Sequence, residues 1–194
     1  ACRAVWNTCI REGFLKDVPY PFSNKKEKGL VSIPPSAKRR KCYLRVCQMT
    51  ELYNLFISKQ YPEHWGESYT ASVHFSLGLF LVQYLCNGFN MADAARLKYD
   101  NYYFQNEGKA FRFNRKKTEK TSANGSEVII PIIEPLQRIL DEIAAPPTRD
   151  GYVFPQIFNG AETEEDRRKR TQQENKNVRE RMDNVCHEVL QWDE

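Results

Sequence analysis

Two cations in one short segment offer the clearest chemistry in this 194-residue chain. The segment is Ala110-Phe111-Arg112-Phe113-Asn114-Arg115-Lys116-Lys117-Thr118, whose aromatic content predicts a strand over 110–117. Strand side chains alternate between faces, so Phe111, Phe113, Arg115 and Lys117 share one side. The two phenylalanines form the buried part, and Arg115 and Lys117 project beyond it. A guanidinium fork beside a long ammonium donor, both at the mouth of a sheet, suits a phosphate. The same residues also make an ordinary polar hairpin tip, and for so short a segment taken alone that is the commoner outcome.

A second basic run, Lys38-Arg39-Arg40-Lys41, closes a stretch broken by Gly29, Pro34 and Pro35. Residues 25–41 therefore read as a basic interdomain linker. The formal net charge is only +4, but it is unevenly spread. The first 50 residues hold eleven Lys and Arg against three Asp and Glu, whereas the last 44 are net acidic. Such asymmetry points to an anionic partner for the first quarter, against the plainer reading of a solvated linker.

Other chemistries lack residues. No pair among Cys2, Cys9, Cys42, Cys47, Cys86 and Cys186 has the C-x-x-C spacing of zinc or thiol redox sites. His64, His74 and His187 have no Cys or second His at metal-ligand spacing, so no metal is expected. There is no Gly-rich phosphate loop of the G-x-x-x-x-G-K-[ST] or G-x-G-x-x-G type. Cys86, in an apolar helical run, reads as a buried thiol. No stretch is apolar enough to span a membrane and no apolar leader opens the chain, so a cytoplasmic location is expected. The chain lacks an initiating Met and reads as cut from something longer.

The elements that must position these residues emerge from periodicity. A helix is predicted over residues 1–16, then helices over 48–60, 68–87 and 91–98. Asn87-Gly88 stops the third of these. Strands are predicted over 102–105, 110–117 and 127–132, with turns at Asn106-Glu107-Gly108 and Ala123-Asn124-Gly125-Ser126. Pro135 opens a helix striped by Leu136, Ile139, Leu140 and Ile143. After the short extended piece Tyr152-Val153-Phe154-Pro155, a long charged helix runs over about 162–192 with Val178, Met182, Val185 and Val189 inward. Thr163 and Asp166 supply its cap. The expected class is α+β, mainly α-helical, with a small three-stranded antiparallel sheet.

The run Leu85-Cys86-Asn87-Gly88-Phe89-Asn90-Met91-Ala92-Asp93-Ala94-Ala95-Arg96-Leu97-Lys98-Tyr99-Asp100 resembles the first catalytic box of tyrosine recombinases, the phage-integrase family. The downstream segments are similar in order: Arg115-Lys116-Lys117-Thr118, then Val128-Ile129-Ile130-Pro131-Ile132, an amphipathic helix, and Tyr152-Val153-Phe154-Pro155. Upstream, Arg3-Ala4-Val5-Trp6-Asn7, Arg11-Glu12-Gly13 and Tyr20-Pro21-Phe22 look like the last helix of the family's core-binding domain. The ordered set spans nearly the whole chain, and it looks closest to integrases of mobile elements in Bacteroidetes. The resemblance implies a division into residues 1–24, the end of a core-binding domain; 25–41, the linker; and 42–194, the first part of a recombinase catalytic domain.

It also implies a function: DNA recombination and integration by cleavage and rejoining through a phosphotyrosine link, without metal or cofactor. Lys117 matches the family's hairpin lysine, which protonates the leaving oxygen, with Lys116 second. Asn90 stands where the family's first arginine belongs, and Arg115 is the expected substitute. Asp93 matches an acidic position with a hydrogen-bonding role. Lys38, Arg39, Arg40, Lys41, Lys116 and Arg96 are the expected contacts to double-stranded DNA, on which the full-length protein would self-associate. His187-Glu188-Val189-Leu190 lacks the arginine of the family's His-x-x-Arg box, no nucleophilic tyrosine comes after it, and Tyr152 reads as packing. The chain is therefore expected to be inactive by itself. The other readings are a non-catalytic DNA-binding remnant or accessory protein, and a helical protein-interaction domain.

Overall fold

The computed structural model describes residues 2–16, 18, 20–23, 31–32, 43–114 and 127–192. Its contacts divide the chain into two units, Ala1–Tyr43 and Leu44–Glu194.

The first unit begins with α1, Cys2–Arg11, which buries none of its residues. Gly13, at φ +80°, ends the turn after it in the left-handed region that glycine tolerates best. Phe22 meets Trp6 edge-on at 6.2 Å and Tyr20 at 5.7 Å. Its strand, β1 (Phe22–Ser23), pairs in parallel with β2 (Val31–Ser32). Lys38, Arg39, Arg40 and Lys41 lie outside the described residues.

The second unit is a helical assembly around α3, Gly66–Leu85. This helix buries Val73, Ser76, Leu77, Leu79, Leu81 and Val82, positions that fall on several of its sides at once. A helix buried on several sides must be wrapped by neighbours. Here α2 (Val46–Ser58), α6 (Glu134–Ile143) and α7 (Glu164–Asn184) pack against it. The predicted α6 stripe of Leu136, Ile139, Leu140 and Ile143 is wholly buried, each side chain contributing roughly 1.5–3 kcal/mol. On α7, Val178 and Met182 are buried, and Val185 comes next in a π-helical turn, Val185–Val189. Cys86 is buried as predicted, and burial pushes its thiol pKa up to about 12.

One predicted strand is a helix. Residues 102–105 belong to α5, Asn101–Gln105. The Asp100 side chain accepts the Tyr103 N–H at 3.0 Å and caps the turn, and the Asn106 amide donates to the Tyr102 carbonyl at 2.8 Å. These local bonds, with Tyr103 stacked on Phe111 at 5.2 Å, override the strand preference of Tyr-Tyr-Phe. Among the described residues the unit's sheet therefore has two strands, not three: β3 (Ala110–Asn114) antiparallel to β4 (Glu127–Pro131). Phe111 faces Ile130 in register and both are about 1% exposed, while Arg112 and Ile129 occupy the outer face. The alternation predicted for Phe111 and Phe113 holds: Phe113 packs inward against Phe89 at 5.6 Å.

Among the described residues, no helix is long and apolar enough to cross a membrane, and no group of three His, Cys, Asp or Glu is placed to hold a metal.

Candidate nucleic-acid interface

The sequence from Phe89 to Asp100 builds one wall of a cleft. Helix α4, Met91–Arg96, starts on a reciprocal cap: Asn90 Oδ1 accepts the Asp93 N–H at 2.9 Å, and Asp93 Oδ2 accepts the Asn90 N–H at 3.3 Å. Asn90 is thus committed to starting a helix, while Asp93 is 4% exposed and takes the hydrogen-bonding role expected of it. Arg96 ends the helix, exposed, where a cation complements the partial negative charge of the carbonyl end.

The chain then becomes extended. Buried Leu97 and Tyr99 flank exposed Lys98, an alternation of period two. Backbone bonds from Tyr99 to Gly151 and from Val153 to Leu97, both 2.9 Å, tie this piece to residues 151–153. Lys98 stands opposite Tyr152 in this bridge, and its Nζ lies 4.7 Å above the Tyr152 ring. On its other sides Tyr152 packs as expected. Its ring meets Phe158 edge-on at 4.9 Å, and its hydroxyl accepts from Arg167 at 3.3 Å.

The opposite wall is the end of β3. Arg112 points outward, 3.5 Å from Asp100 and 3.6 Å from Glu127, with its guanidinium 5.1 Å from the Tyr102 ring centre. Asp93, Arg96, Lys98, Asp100, Arg112, Phe113 and Asn114 enclose a cleft of about 270 Å³. Three cations face two carboxylates there. The strand leaves this cleft at Asn114. The next residues in sequence are Arg115, Lys116 and Lys117, the pair expected to hold a phosphate among them, and they lie outside the described residues.

Of the expected site residues, Asn90 and Arg96 are both placed on α4, with Arg96 lining the cleft and Asn90 at the helix start. Arg96 donates to Glu164 Oε2 at 3.1 Å. Lys98, Asp100 and Arg112 are cleft residues that motif and spacing did not single out. Lys98 had a detectable signal, since it is the polar residue between two that alternate inward; Arg112 likewise alternates away from Phe111 and Phe113. Their ionic partners had none, because those depend on how the elements pack.

His187 is exposed, and its Nδ1 bonds the Asp183 carbonyl at 2.8 Å within its own helical turn. Its neighbour Glu188 accepts from Trp65 Nε1 at 3.0 Å, tying this turn to the start of α3.

No family model matches the chain, and no curated protein or solved structure matches it either.

Proposed function

We propose that this chain binds double-stranded DNA as part of a site-specific tyrosine recombinase of a mobile element. The observation that carries the reading is the cleft at the end of β3 where Arg96, Lys98 and Arg112 gather beside Asp93 and Asp100, and from which the chain runs directly into Arg115, Lys116 and Lys117. Phosphate contacts of this kind hold a duplex without reading its bases. In the intact enzyme Lys117 donates a proton to the leaving oxygen and Arg115 balances the charge of the pentavalent phosphorus. Asn90, neutral and engaged in a cap, does not take that charge.

The test is binding of a fluorescent 30-base-pair duplex across a salt series. Phosphate contacts release counterions, so the logarithm of affinity falls linearly with that of salt concentration. Absence of binding at low salt overturns the proposal. For the recombinase part, Lys117→Ala and Arg115→Ala in an intact, cleaving protein abolish the covalent DNA adduct and leave most binding. A normal adduct in either variant removes that role.

A second reading is a non-catalytic DNA-binding accessory, in which Tyr152 is a packing residue, its ring between Lys98 and Phe158 and its hydroxyl accepting from Arg167. The two readings part on whether a protein with this chain forms a phosphotyrosine adduct.

A further inference from the structure

A second cleft, of about 240 Å³, adjoins the first at Arg96. Its walls include Arg96, Arg167, Tyr152, Phe158 and Glu164. Glu164 sits between the two arginines: Oε2 is 3.1 Å from Arg96 Nη2 and Oε1 is 3.7 Å from Arg167 Nη1. One oxygen per guanidinium is also how a phosphodiester's two free oxygens would engage them.

The two arginines differ in how firmly they are held. Arg167 is fixed before any ligand arrives. Its Nε donates to the Ala161 carbonyl at 3.0 Å and its Nη1 to the Tyr152 hydroxyl at 3.3 Å. Its guanidinium also lies 5.4 Å from the Phe158 ring centre and 5.7 Å from that of Tyr152. A planar cation ordered by rings and a carbonyl loses little freedom on gaining an anion. Glu164 is the loose member: its side chain is 74% exposed, and an ion pair so exposed holds weakly. It belongs to the first turn of α7, where a carboxylate is favoured whether or not it touches an arginine. It can therefore leave without losing a stable place.

We infer that Arg96 and Arg167 form a second backbone-phosphate site, occupied at rest by the Glu164 carboxylate and opened when DNA displaces it. The inference rests on the DNA-binding reading and adds to it a contact outside the hairpin and a carboxylate that competes for that contact. Glu164 sets affinity by holding the site closed, and Arg96, shared by both clefts, joins the second phosphate to the first.

The experiment is a mutant cycle on the whole chain, read by anisotropy with a fluorescent 30-base-pair duplex in 50 mM and 150 mM NaCl. Glu164→Gln removes the competitor and tightens binding about two- to five-fold, the size expected from releasing one exposed ion pair. Glu165→Gln makes the same change in net charge one residue away, at a carboxylate paired with Lys169 at 2.9 Å, and gains less. In an Arg96→Ala background the gain from Glu164→Gln shrinks to the Glu165→Gln level. Equal gains from the two glutamate variants, or a gain from Glu164→Gln that persists without Arg96, overturns the inference while leaving DNA binding intact. No binding by any variant at 50 mM NaCl overturns the DNA reading and the inference together.

Discussion

Asn90 and Asp93 cap one another's backbone, each side chain accepting the other's N–H at the first turn of α4. That helix has only six residues, so its start is a large part of its stability. Asn90→Ala should lower unfolding free energy by about 1 kcal/mol, whereas Asn90→Ser and Asn90→Asp should cost little. Urea denaturation of the three variants measures this. An alanine variant as stable as the parent would show that the cap does not hold α4.

His74 reports on the packing of three elements. Its Nδ1 bonds the Tyr61 hydroxyl at 2.8 Å, its Nε2 bonds Glu142 at 2.9 Å, and its ring stacks on Phe56 at 4.2 Å. Burial lowers its pKa and outweighs the opposing pull of Glu142, while Lys59 adds to the lowering. A folded pKa below the unfolded value of about 6.5 means the unfolded chain binds the proton more readily. This contribution to stability is full above the unfolded pKa and declines as pH falls towards the folded one. His74 should titrate below about 6.5 by NMR, and Glu142→Gln should move it lower still. A His74 pKa above that value would contradict the burial argument.

Glu142 acts with the same sign in a lower pH range. Burial alone would raise its pKa, but hydrogen bonds from Lys59 and His74 hold it below the ordinary value. Its contribution is present above the unfolded carboxyl pKa and is lost as pH falls through the depressed one. Acid unfolding tracked by circular dichroism should therefore begin at higher pH in Lys59→Met than in the parent.

Gly78 lies where α3 packs tightly against α2 and α6. A Cβ there would lie 2.7 Å from Ile143 Cδ1 and 3.0 Å from Phe56 Cε2. Helix propensity favours alanine by about 1 kcal/mol, and overpacking in a core costs about 1–3 kcal/mol. Gly78→Ala should therefore be neutral to destabilising by about 2 kcal/mol. Adding Ile143→Val removes the nearest atom and should recover much of the loss. Thermal melts of the single and double variants decide this, and a double variant less stable than the sum of its singles would exclude the close contact as the cause.

Ser76 is fully buried and receives Arg181 Nη1 at 3.0 Å across the α3–α7 interface. Arg181 also reaches Glu174 at 3.3 Å. Arg181→Met should cost about 1–3 kcal/mol, because a buried hydroxyl loses its partner, and Ser76→Ala in the same background should return part of it. Chemical denaturation of the cycle measures the coupling.

Much of this architecture is legible in the sequence because it is local. The α6 stripe, the Cys86 burial, the alternation of Phe111 and Phe113 and the Thr163 cap on α7 each arise from residues within one or two turns. Period, capping and chain punctuation act over those distances. Residues 102–105 depart from expectation for the same reason: aromatic content argued for a strand, while Asp100 just upstream supplied a cap that favours a helix.

The sequence alone determined where the cations lie along the chain, which stripes had to be buried, and that Tyr152 is a packing residue. The mutual cap of Asn90 and Asp93 emerged with the structure. The tertiary structure decided what those charges meet. Arg96 and Glu164 are 68 residues apart, Ser76 and Arg181 are 105 apart, and Lys98 stands over Tyr152 through a bridge between distant segments. No local rule pairs such residues, because their meeting depends on how helices wrap α3 and how the chain closes on itself. A cation's neighbours, and so whether it is free to meet a phosphate or already holds a carboxylate, are properties of that packing.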